Sequence, residues 1–340
     1  MHVYVGMSGG VDSSLTAALL VEQGHDVTGV YMKNWTQDLP GMKCPWADDL
    51  ADAKRVAVQL GIDFKVFDFE KEYRDKVVDY MIDEYKLGRT PNPDIMCNQE
   101  VKFKLFLETA LEDGADMIAT GHYARVENGV LKQAADNNKD QTYFLYRVTG
   151  EALQKTLFPL GEYTKPVVRE MAKERGLTTA AKKDSQGICF VGKIGIRDFL
   201  SEYVEQTPGD IIDTHTGKKI GRHDGAIFYT LGQRHGLELG GGLPYYVVGK
   251  DMSKNEVYVT TDLNDETLWK KEINLINIHW INDTPNDGEY EIRIRHRAAL
   301  AKAMLSGDTL SLTDPQRAVT AGQSVVIYNG ETCLGGGIVG

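Results

Sequence analysis

The sequence predicts an α/β protein whose first part is a doubly wound parallel sheet and whose last part is all-β. Over residues 1–195, short apolar strands alternate with amphipathic helices, the pattern of a parallel sheet with helical crossovers. From about Gly209 the helical periodicity fades, and short β-rich runs appear between Gly, Asn and Asp turns. We therefore expect domains over 1–195, 196–260 and 261–340.

The first domain is expected to open with a strand, a glycine turn and a helix that stops at Gly24. A hairpin is predicted at Asn128-Gly129, because this dipeptide suits the tightest hairpin turns. Further strands are expected over 26–35, 64–69 and 117–120, and further helices over 50–60, 77–85, 100–111 and 166–175.

The tail is expected to hold short strands, with a helix-like segment around Trp269 marking the break between two all-β modules. The expected strands cover 226–231, 245–248, 256–260, 289–295, 309–312 and 324–328.

The composition is that of a soluble globular protein, with 42% hydrophobic and 26% charged residues in 340. No apolar run reaches the length of a membrane span and no signal peptide is evident, so a cytoplasmic protein without membrane contact is predicted. A net charge of −11 argues against a general nucleic-acid coat but is compatible with a local basic face. The 4 cysteines contain no Cys-x-x-Cys pair, which argues against a structural zinc site.

The glycine turn after the first strand carries the sequence Ser8-Gly9-Gly10-Val11-Asp12-Ser13. Glycines let the backbone press its N–H groups against a ligand, and a helix N-terminus favours anions. Asp12 is a candidate to hold Mg²⁺ on phosphate oxygens. The turn is neither a Walker A loop, since no lysine follows, nor a Gly-x-Gly-x-x-Gly fingerprint. The alternative is an ordinary strand-to-helix turn.

Two cysteines lie in motifs that suit reactive thiols. Cys97 follows Pro91-Asn92-Pro93-Asp94, and two prolines would place it just before a helix N-terminus, where the pKa of a thiol is lowered. Cys189 lies in Asp184-Ser185-Gln186-Gly187-Ile188-Cys189-Phe190 after two lysines, and neighbouring cations favour a thiolate. For each cysteine the alternative is plain burial, and only the fold can say whether the two meet.

The Ser-Gly-Gly-x-Asp-Ser loop resembles that of the N-type ATP pyrophosphatases (PP-loop enzymes), which cleave ATP between its α and β phosphates. In order along the chain stand this loop, Pro-Asn-Pro-Asp-x-x-Cys-Asn, Gly-His-Tyr, Lys-Asp-Gln and Asp-Ser-x-Gly-Ile-Cys-Phe. This set resembles the tRNA-specific 2-thiouridylases from end to end. One departure is Gln186, where a threonine is expected.

The resemblance implies a PP-loop ATPase domain, a small β-rich central domain and a C-terminal β-barrel that contacts tRNA. ATP, with Mg²⁺, would adenylate the 2-oxygen of the wobble uridine in the anticodon stem-loop. A persulfide on Cys189, loaded by a cysteine desulfurase or sulfur-relay protein, would then supply sulfur. Cys97 would release it as hydrosulfide or take part directly in the attack, and both routes leave a transient Cys97–Cys189 disulfide.

The resemblance also implies roles for single residues. Asp94 would be an acid/base group, although a plain turn residue after Pro93 is an equal alternative, and His122 is more simply a structural histidine. Alternation along 293–297 would place three arginines on one strand face for phosphate contact. ATP binding is expected at Gly6, Met7, Ser8, Gly9, Gly10, Val11, Asp12, Ser13, Met32 and Gly121, target-base binding at Asn92, Pro93 and Asp94, and tRNA binding at His122, Lys139, Asp140, Gln141, Arg295, His296 and Gln323.

Two rival functions remain open. One is another PP-loop ligase that forms amides or amidines from ammonia and needs no cysteine pair. The other is a non-enzymatic module that binds nucleotide and RNA without releasing pyrophosphate.

Overall fold

The computed structural model describes residues 1–38, 44–183, 195–240 and 242–340. Five strands of the first part form one sheet in the order β3-β2-β1-β4-β7, with every neighbouring pair parallel. The winding direction changes between β1 and β4, which confirms the doubly wound fold. Folds of this kind bind ligands at the carboxyl ends of the strands beside such a change. The strands are β1 (His2–Gly6), β2 (Asp26–Lys33), β3 (Asp63–Asp68), β4 (Met117–Ala119), β5 (Arg125–Glu127), β6 (Val130–Lys132) and β7 (Thr156–Leu157).

Helices cover both faces of this sheet. Side chains alternate along β1, so Val3 and Val5 are buried on the face of α1, α2 and α7, while Tyr4 is buried on the face of α3 and α4. The helices are α1 (Val11–Glu22), α2 (Trp46–Leu60), α3 (Glu70–Tyr73, Arg74–Val78 and Asp79–Lys86), α4 (Pro93–Met96, Cys97–Leu105 and Phe106–Glu112), α5 (Thr142–Leu145), α6 (Gly150–Gln154), α7 (Lys165–Glu174) and α8 (Ile196–Ser201).

Several element boundaries differ from the sequence prediction. The helix expected from residue 100 begins at Pro93, because proline suits a first helical position and the Asn92 side chain caps the helix by accepting from the Asp94 N–H at 3.2 Å. The middle stretches of α3 and α4 are π-helical. The strand expected to run to Trp35 ends at Lys33, which is its last residue paired with β3.

The central part is a small β-rich unit, as expected, with the strand order β10-β11-β8-β9. The strand predicted over 226–231 is wrong. Ala226–Phe228 form a 3₁₀ turn in which three consecutive side chains are buried, so the apolar run does not alternate as a strand would. The strands are β8 (Gly209–Asp213), β9 (Lys219–His223), β10 (Tyr246–Asp251) and β11 (Glu256–Thr260).

The C-terminal part is a closed antiparallel barrel, which confirms that expectation. Its strands pair in the order β12-β15-β14-β13-β16-β17, and β17 pairs back with β12. The predicted helix-like segment around Trp269 is wrong, because Trp269 pairs with Arg317 as the first residue of β12, after a 3₁₀ turn at Glu266–Leu268. The strands are β12 (Trp269–Trp280), β13 (Gly288–Arg293), β14 (Ala301–Ser306), β15 (Thr309–Arg317), β16 (Ser324–Asn329) and β17 (Thr332–Val339).

The predicted hairpin at Asn128-Gly129 is confirmed, with φ of 51° and 79° at its two central residues. It does not join the parallel sheet, however. Leu131 of β6 pairs with Cys333 of β17, so the hairpin extends the sheet of the barrel and links the first and last parts of the chain. No helix in the described residues is both long and apolar enough to cross a membrane.

Candidate active site

The loop after β1 lies at the carboxyl edge of the sheet, beside the change in winding. Gly9 has a φ of +72°, and a Cβ there would lie 2.3 Å from the backbone oxygen of Asp49, so the turn requires glycine on two counts. Gly10 is the N-cap of α1, and no described side chain caps this helix. The first N–H groups of α1 therefore remain available to an anion.

Residues from β2 and β4 converge on this loop. A Cβ at Gly6 would lie 3.0 Å from Cε of Met32, and a Cβ at Gly121 would lie 2.8 Å from the backbone nitrogen of Ser13. Gly121 therefore permits close contact between the end of β4 and the start of α1. The structure thus brings together the ends of the three strands on which the sequence-predicted ATP residues lie.

Asp12, in the first turn of α1, is held by two side chains that the sequence analysis did not single out. Nζ of Lys165 lies 2.7 Å from both carboxylate oxygens, and the Tyr123 hydroxyl donates to Oδ1 at 2.9 Å. Asp12 suits Mg²⁺ as an oxygen ligand, but the described residues contain no group of three or more metal-ligating side chains. A magnesium ion here would take most of its ligands from nucleotide phosphates and water.

The Lys139-Asp140-Gln141 motif connects this site to the barrel. Gln141 Oε1 accepts from the backbone N–H of Tyr123 at 2.8 Å, next to His122. Asp140 accepts from Nη1 of Arg293 in β13 at 2.9 Å and from the Thr142 hydroxyl at 2.8 Å. The Asp140 side chain is buried among these donors and links the motif to the barrel, so its predicted contact with tRNA stays a prediction.

Asp94 and Cys97 lie in the first turns of α4. Cys97 is inside the helix rather than before it, and only 7% of its surface is exposed. Burial raises the pKa of its thiol, so the expected lowering is wrong in direction, although the charge of Lys102 and a hydrogen bond from Tyr73 oppose the rise. Burial also raises the pKa of Asp94, again opposed by Lys102. A carboxyl with a raised pKa is suited to proton transfer near neutral pH.

His122 follows Gly121 and packs close to α4. Its Nδ1 lies 2.8 Å from the Thr120 hydroxyl, and its ring lies 5.6 Å from that of Phe103. Burial, and then the charge of Lys102, lower the pKa of His122 well below its ordinary value, which favours the neutral ring at neutral pH. Its burial argues against the predicted direct contact with tRNA. The charge of Lys102 thus opposes the rise in the pKa of Asp94 and Cys97 and adds to the lowering of the pKa of His122.

Cys189 and the rest of 184–194 lie outside the described residues, so the predicted meeting of the two cysteines stays a prediction. The chain just before this segment is firmly held. Nζ of Lys182 lies 2.7 Å from Asp49 and 2.6 Å from Asp52, both in α2. Arg169 of α7 donates to the Lys182 carbonyl oxygen at 3.0 Å.

The predicted tRNA residues of the barrel occupy different environments. Arg295 is exposed and donates to two backbone oxygens near residue 318, while His296 packs on Phe144 with ring centroids 4.5 Å apart. The predicted three-arginine strand face is wrong, because β13 ends at Arg293, whose side chain turns into the buried pair with Asp140. Gln323 Nε2 donates to the Thr90 carbonyl oxygen at 2.8 Å, and Lys139 is half-buried.

The residues that sequence reasoning missed are Lys165, Tyr123 and Lys102. One signal for Lys165 was available: a lysine beside Pro166 at a helix start opposes the helix dipole and so requires another explanation. Lys102 follows Cys97 by about one turn of a π-helix, but nothing in the sequence indicates that helix type.

Comparisons with known proteins bear on the domains and the family of the chain. Profiles described as tRNA methyl transferase HUP domain, tRNA methyl transferase PRC-barrel domain and aminomethyltransferase beta-barrel domain match residues 1–193, 197–261 and 270–339. A solved complex of a 4-thiouridine synthetase with RNA and bound ATP is 18% identical, covers 59% of this chain and 50% of its own, and has a TM-score of 0.39, a likeness from which nothing further follows.

Curated relatives extend over nearly the whole chain. The tRNA-specific 2-thiouridylases MnmA of Bacillus cytotoxicus and Bacillus anthracis are each 48% identical to it over 350 aligned positions. Each alignment covers 99% of this chain and 94% of the relative. The protein therefore belongs to the tRNA-specific 2-thiouridylase family.

Proposed function

We propose that the protein is an ATP-dependent tRNA-uridine 2-sulfurtransferase that converts the wobble uridine of tRNA to 2-thiouridine. The observation that carries this proposal is that a loop suited to binding phosphate lies near a helix that carries an acid and a thiol, Asp94 and Cys97. The loop suited to an anion follows β1, at the edge where β4 also ends. His122, just after β4, packs close to Phe103 of the helix that carries Asp94 and Cys97. Membership of the 2-thiouridylase family supports the same substrate.

The first step is activation of the uridine. A 2-carbonyl oxygen is a poor leaving group, so O2 attacks the α-phosphorus of ATP and the bond from that phosphorus to pyrophosphate breaks. Residues 6–13 bind the phosphates through backbone N–H groups, with Met32 and Gly121 against the nucleoside. Asp12 would hold Mg²⁺, which would screen the charge of the phosphates. The target base is flipped out of its stack to reach Asn92, Pro93 and Asp94.

The second step is sulfur transfer. A cysteine desulfurase or sulfur-relay protein loads a persulfide on Cys189. In one route, the Cys97 thiolate attacks the inner sulfur and releases hydrosulfide, which displaces AMP from C2. In the other, the terminal persulfide sulfur attacks C2 and displaces AMP, after which Cys97 attacks the Cys189 sulfur and frees 2-thiouridine. Both routes leave a Cys97–Cys189 disulfide, which an external dithiol must reduce.

Burial of the Cys97 thiol limits both routes, because both need Cys97 as a thiolate. Its raised pKa means that little thiolate exists at neutral pH until the surroundings of Cys97 change or Lys102 approaches it.

We assign adenylation to residues 1–195 and tRNA contact chiefly to residues 261–340, with the β-rich unit over 196–260 between them. Arg295, His296 and Lys139 are the proposed tRNA-contacting residues. A cytoplasmic location is consistent with this function.

The test is single-turnover thiolation of a tRNA transcript with ATP, Mg²⁺ and a persulfide donor. Wild type should release pyrophosphate and form 2-thiouridine, and Cys97→Ser and Cys189→Ser should each abolish thiolation while pyrophosphate release persists. Cys44→Ser is the matched control, because Cys44 is also buried but lies outside the proposed mechanism. Thiolation at the wild-type rate by both mutants would contradict the two-cysteine mechanism. An ammonia-using ligase would release pyrophosphate without thiolating, and a binding module would not release it.

A further inference from the structure

The ion pair between Lys165 and Asp12 places a largely buried positive charge beside the anion-binding loop. The Lys165 side chain is 10% exposed, whereas that of Asp12 is 30% exposed. Nζ of Lys165 also lies 5.7 Å from the ring centroid of Tyr123, a cation–π distance. The ammonium is thus held by protein groups on more than one side, with Asp12 as its point of contact with the loop.

The position of Lys165 in its helix is electrostatically unfavourable unless an anion is present. Lys165 is the first residue of α7, where the helix dipole is positive, and its own N–H donates to Asp136 Oδ2 at 2.9 Å. The positive N-terminus of α1 also attracts the Asp12 carboxylate, because Asp12 lies in the first turn of that helix. The Lys165 ammonium and the N-terminus of α1 therefore both face Asp12, while the N-terminus of α7 has the Asp136 carboxylate. An ammonium held beside the N-terminus of α1 adds to the positive potential at the loop, which favours a bound anion there.

We propose that Lys165 is a phosphate-binding residue for ATP, and that its ammonium moves from Asp12 to the β,γ-diphosphate of ATP that departs as pyrophosphate. This inference rests on the proposed adenylation step. As the bond between the α-phosphorus and its bridging oxygen breaks, negative charge develops on the departing pyrophosphate. A buried ammonium stabilises that charge strongly because it is shielded from water. Movement of a few ångströms is within the reach of the flexible lysine stem.

Two substitutions with opposite expected signs test the inference by calorimetric titration of the full-length protein with inorganic pyrophosphate, ATP and adenosine. Lys165→Met should weaken pyrophosphate and ATP binding by about 10- to 100-fold, as loss of a charge-assisted hydrogen bond does, and leave adenosine binding unchanged. Asp12→Asn, titrated without Mg²⁺, should strengthen pyrophosphate binding, because it frees Lys165 from its carboxylate. Lys173→Met is the matched control on the same helix, since Lys173 is exposed and pairs only loosely with Glu170 at 3.7 Å.

The outcomes separate this inference from the proposed function. If wild type binds ATP and pyrophosphate and Lys165→Met binds them equally well, the inference is wrong and adenylation stands. If wild type binds neither, both are wrong. Should Lys165→Met fail to fold, the Asp12→Asn titration decides: weaker or unchanged pyrophosphate binding means that the pair is purely structural.

Discussion

Gln323 of the barrel donates a hydrogen bond from Nε2 to the backbone oxygen of Thr90, at 2.8 Å. The N–H of Thr90 donates to Ala321 O at 2.9 Å, and the Thr90 hydroxyl lies 3.3 Å from that of Thr230 in the central unit. Thr90 leads directly into the segment that begins at Asn92. All three parts of the chain therefore meet next to the proposed target-base segment, and Gln323 bonds to the residue that leads into it, while its predicted contact with tRNA stays a prediction.

Gln323→Ala should lower the rate of thiolation without changing the affinity for ATP. Removing the side chain leaves the Thr90 carbonyl without this donor, a loss of about 1 kcal/mol, so we expect kcat/KM for tRNA to fall about fivefold. Gln316→Ala is the control, because Gln316 lies in the same barrel and its side chain donates to the Asp314 carbonyl oxygen of its own strand. If Gln323→Ala instead weakens tRNA binding and thiolates bound tRNA normally, Gln323 contacts RNA directly.

Cys97 should be alkylated slowly at neutral pH and faster as the pH rises above that at which a free cysteine titrates, about 8.5. Burial raises the pKa of its thiol, and the positive charge of Lys102 opposes the rise, so Lys102→Met should move the pH dependence to still higher pH. Lys104→Met is the control, since Lys104 is exposed and pairs with Glu100. The measurement is iodoacetamide labelling of Cys97, followed by mass spectrometry. Identical profiles for Lys102→Met and wild type would show that Lys102 does not act on this thiol.

The sequence alone predicts what is encoded locally. The strand, turn and helix at residues 2–22 follow from apolar spacing and two glycines, and the Asn128-Gly129 hairpin follows from its turn chemistry. What it does not predict depends on partners distant in the chain. Arg293 and Asp140 are 153 residues apart, and only the closed fold brings them together.

Local signals also failed where tertiary packing outweighs them. Lysine and glutamate next to Trp269 suggest a helix, yet pairing with β15 and burial of alternate residues Ile273 and Leu275 impose a strand. Cys97 was expected to be activated by a helix end, but the prolines begin the helix earlier and the thiol is packed inside it. In both cases contacts made by the folded chain outweigh the local preference.

Mild acid should destabilise the protein through buried histidines. Burial lowers the pKa of His122 in the folded state, whereas the unfolded chain protonates near pH 6.5. The unfolded state therefore binds more protons below that pH, so the contribution of His122 to stability is complete above about pH 6.5 and is lost as the pH falls, by up to about 1.4 kcal/mol per pH unit. Three other histidines have pKa values lowered by burial and act in the same direction: His223, His279 and His296.

The measurement is the melting temperature at pH 7.5 and pH 5.5. His122→Gln should lose less stability between the two pH values than wild type does, because it removes one group that takes up a proton on unfolding. His215→Gln is the control, since His215 is exposed on a turn. Equal acid sensitivity in His122→Gln and wild type would mean that His122 is already protonated in the folded protein.

Arg293 and Arg297, which the sequence places on one RNA-binding face, should affect different properties when they are replaced: Arg293 the stability, and Arg297 the salt dependence of tRNA binding. Arg293→Met leaves Asp140 buried without its cation, a loss of about 3–5 kcal/mol in the free energy of unfolding, and the salt dependence of tRNA binding should not change. Arg297 is exposed and has no ion-pair partner among the described residues, so Arg297→Met should leave the melting temperature unchanged. If Arg297 contacts a phosphate, its loss reduces the slope of log affinity against log salt by about 1. A reduced slope in Arg293→Met would contradict the structural role of the Arg293–Asp140 pair.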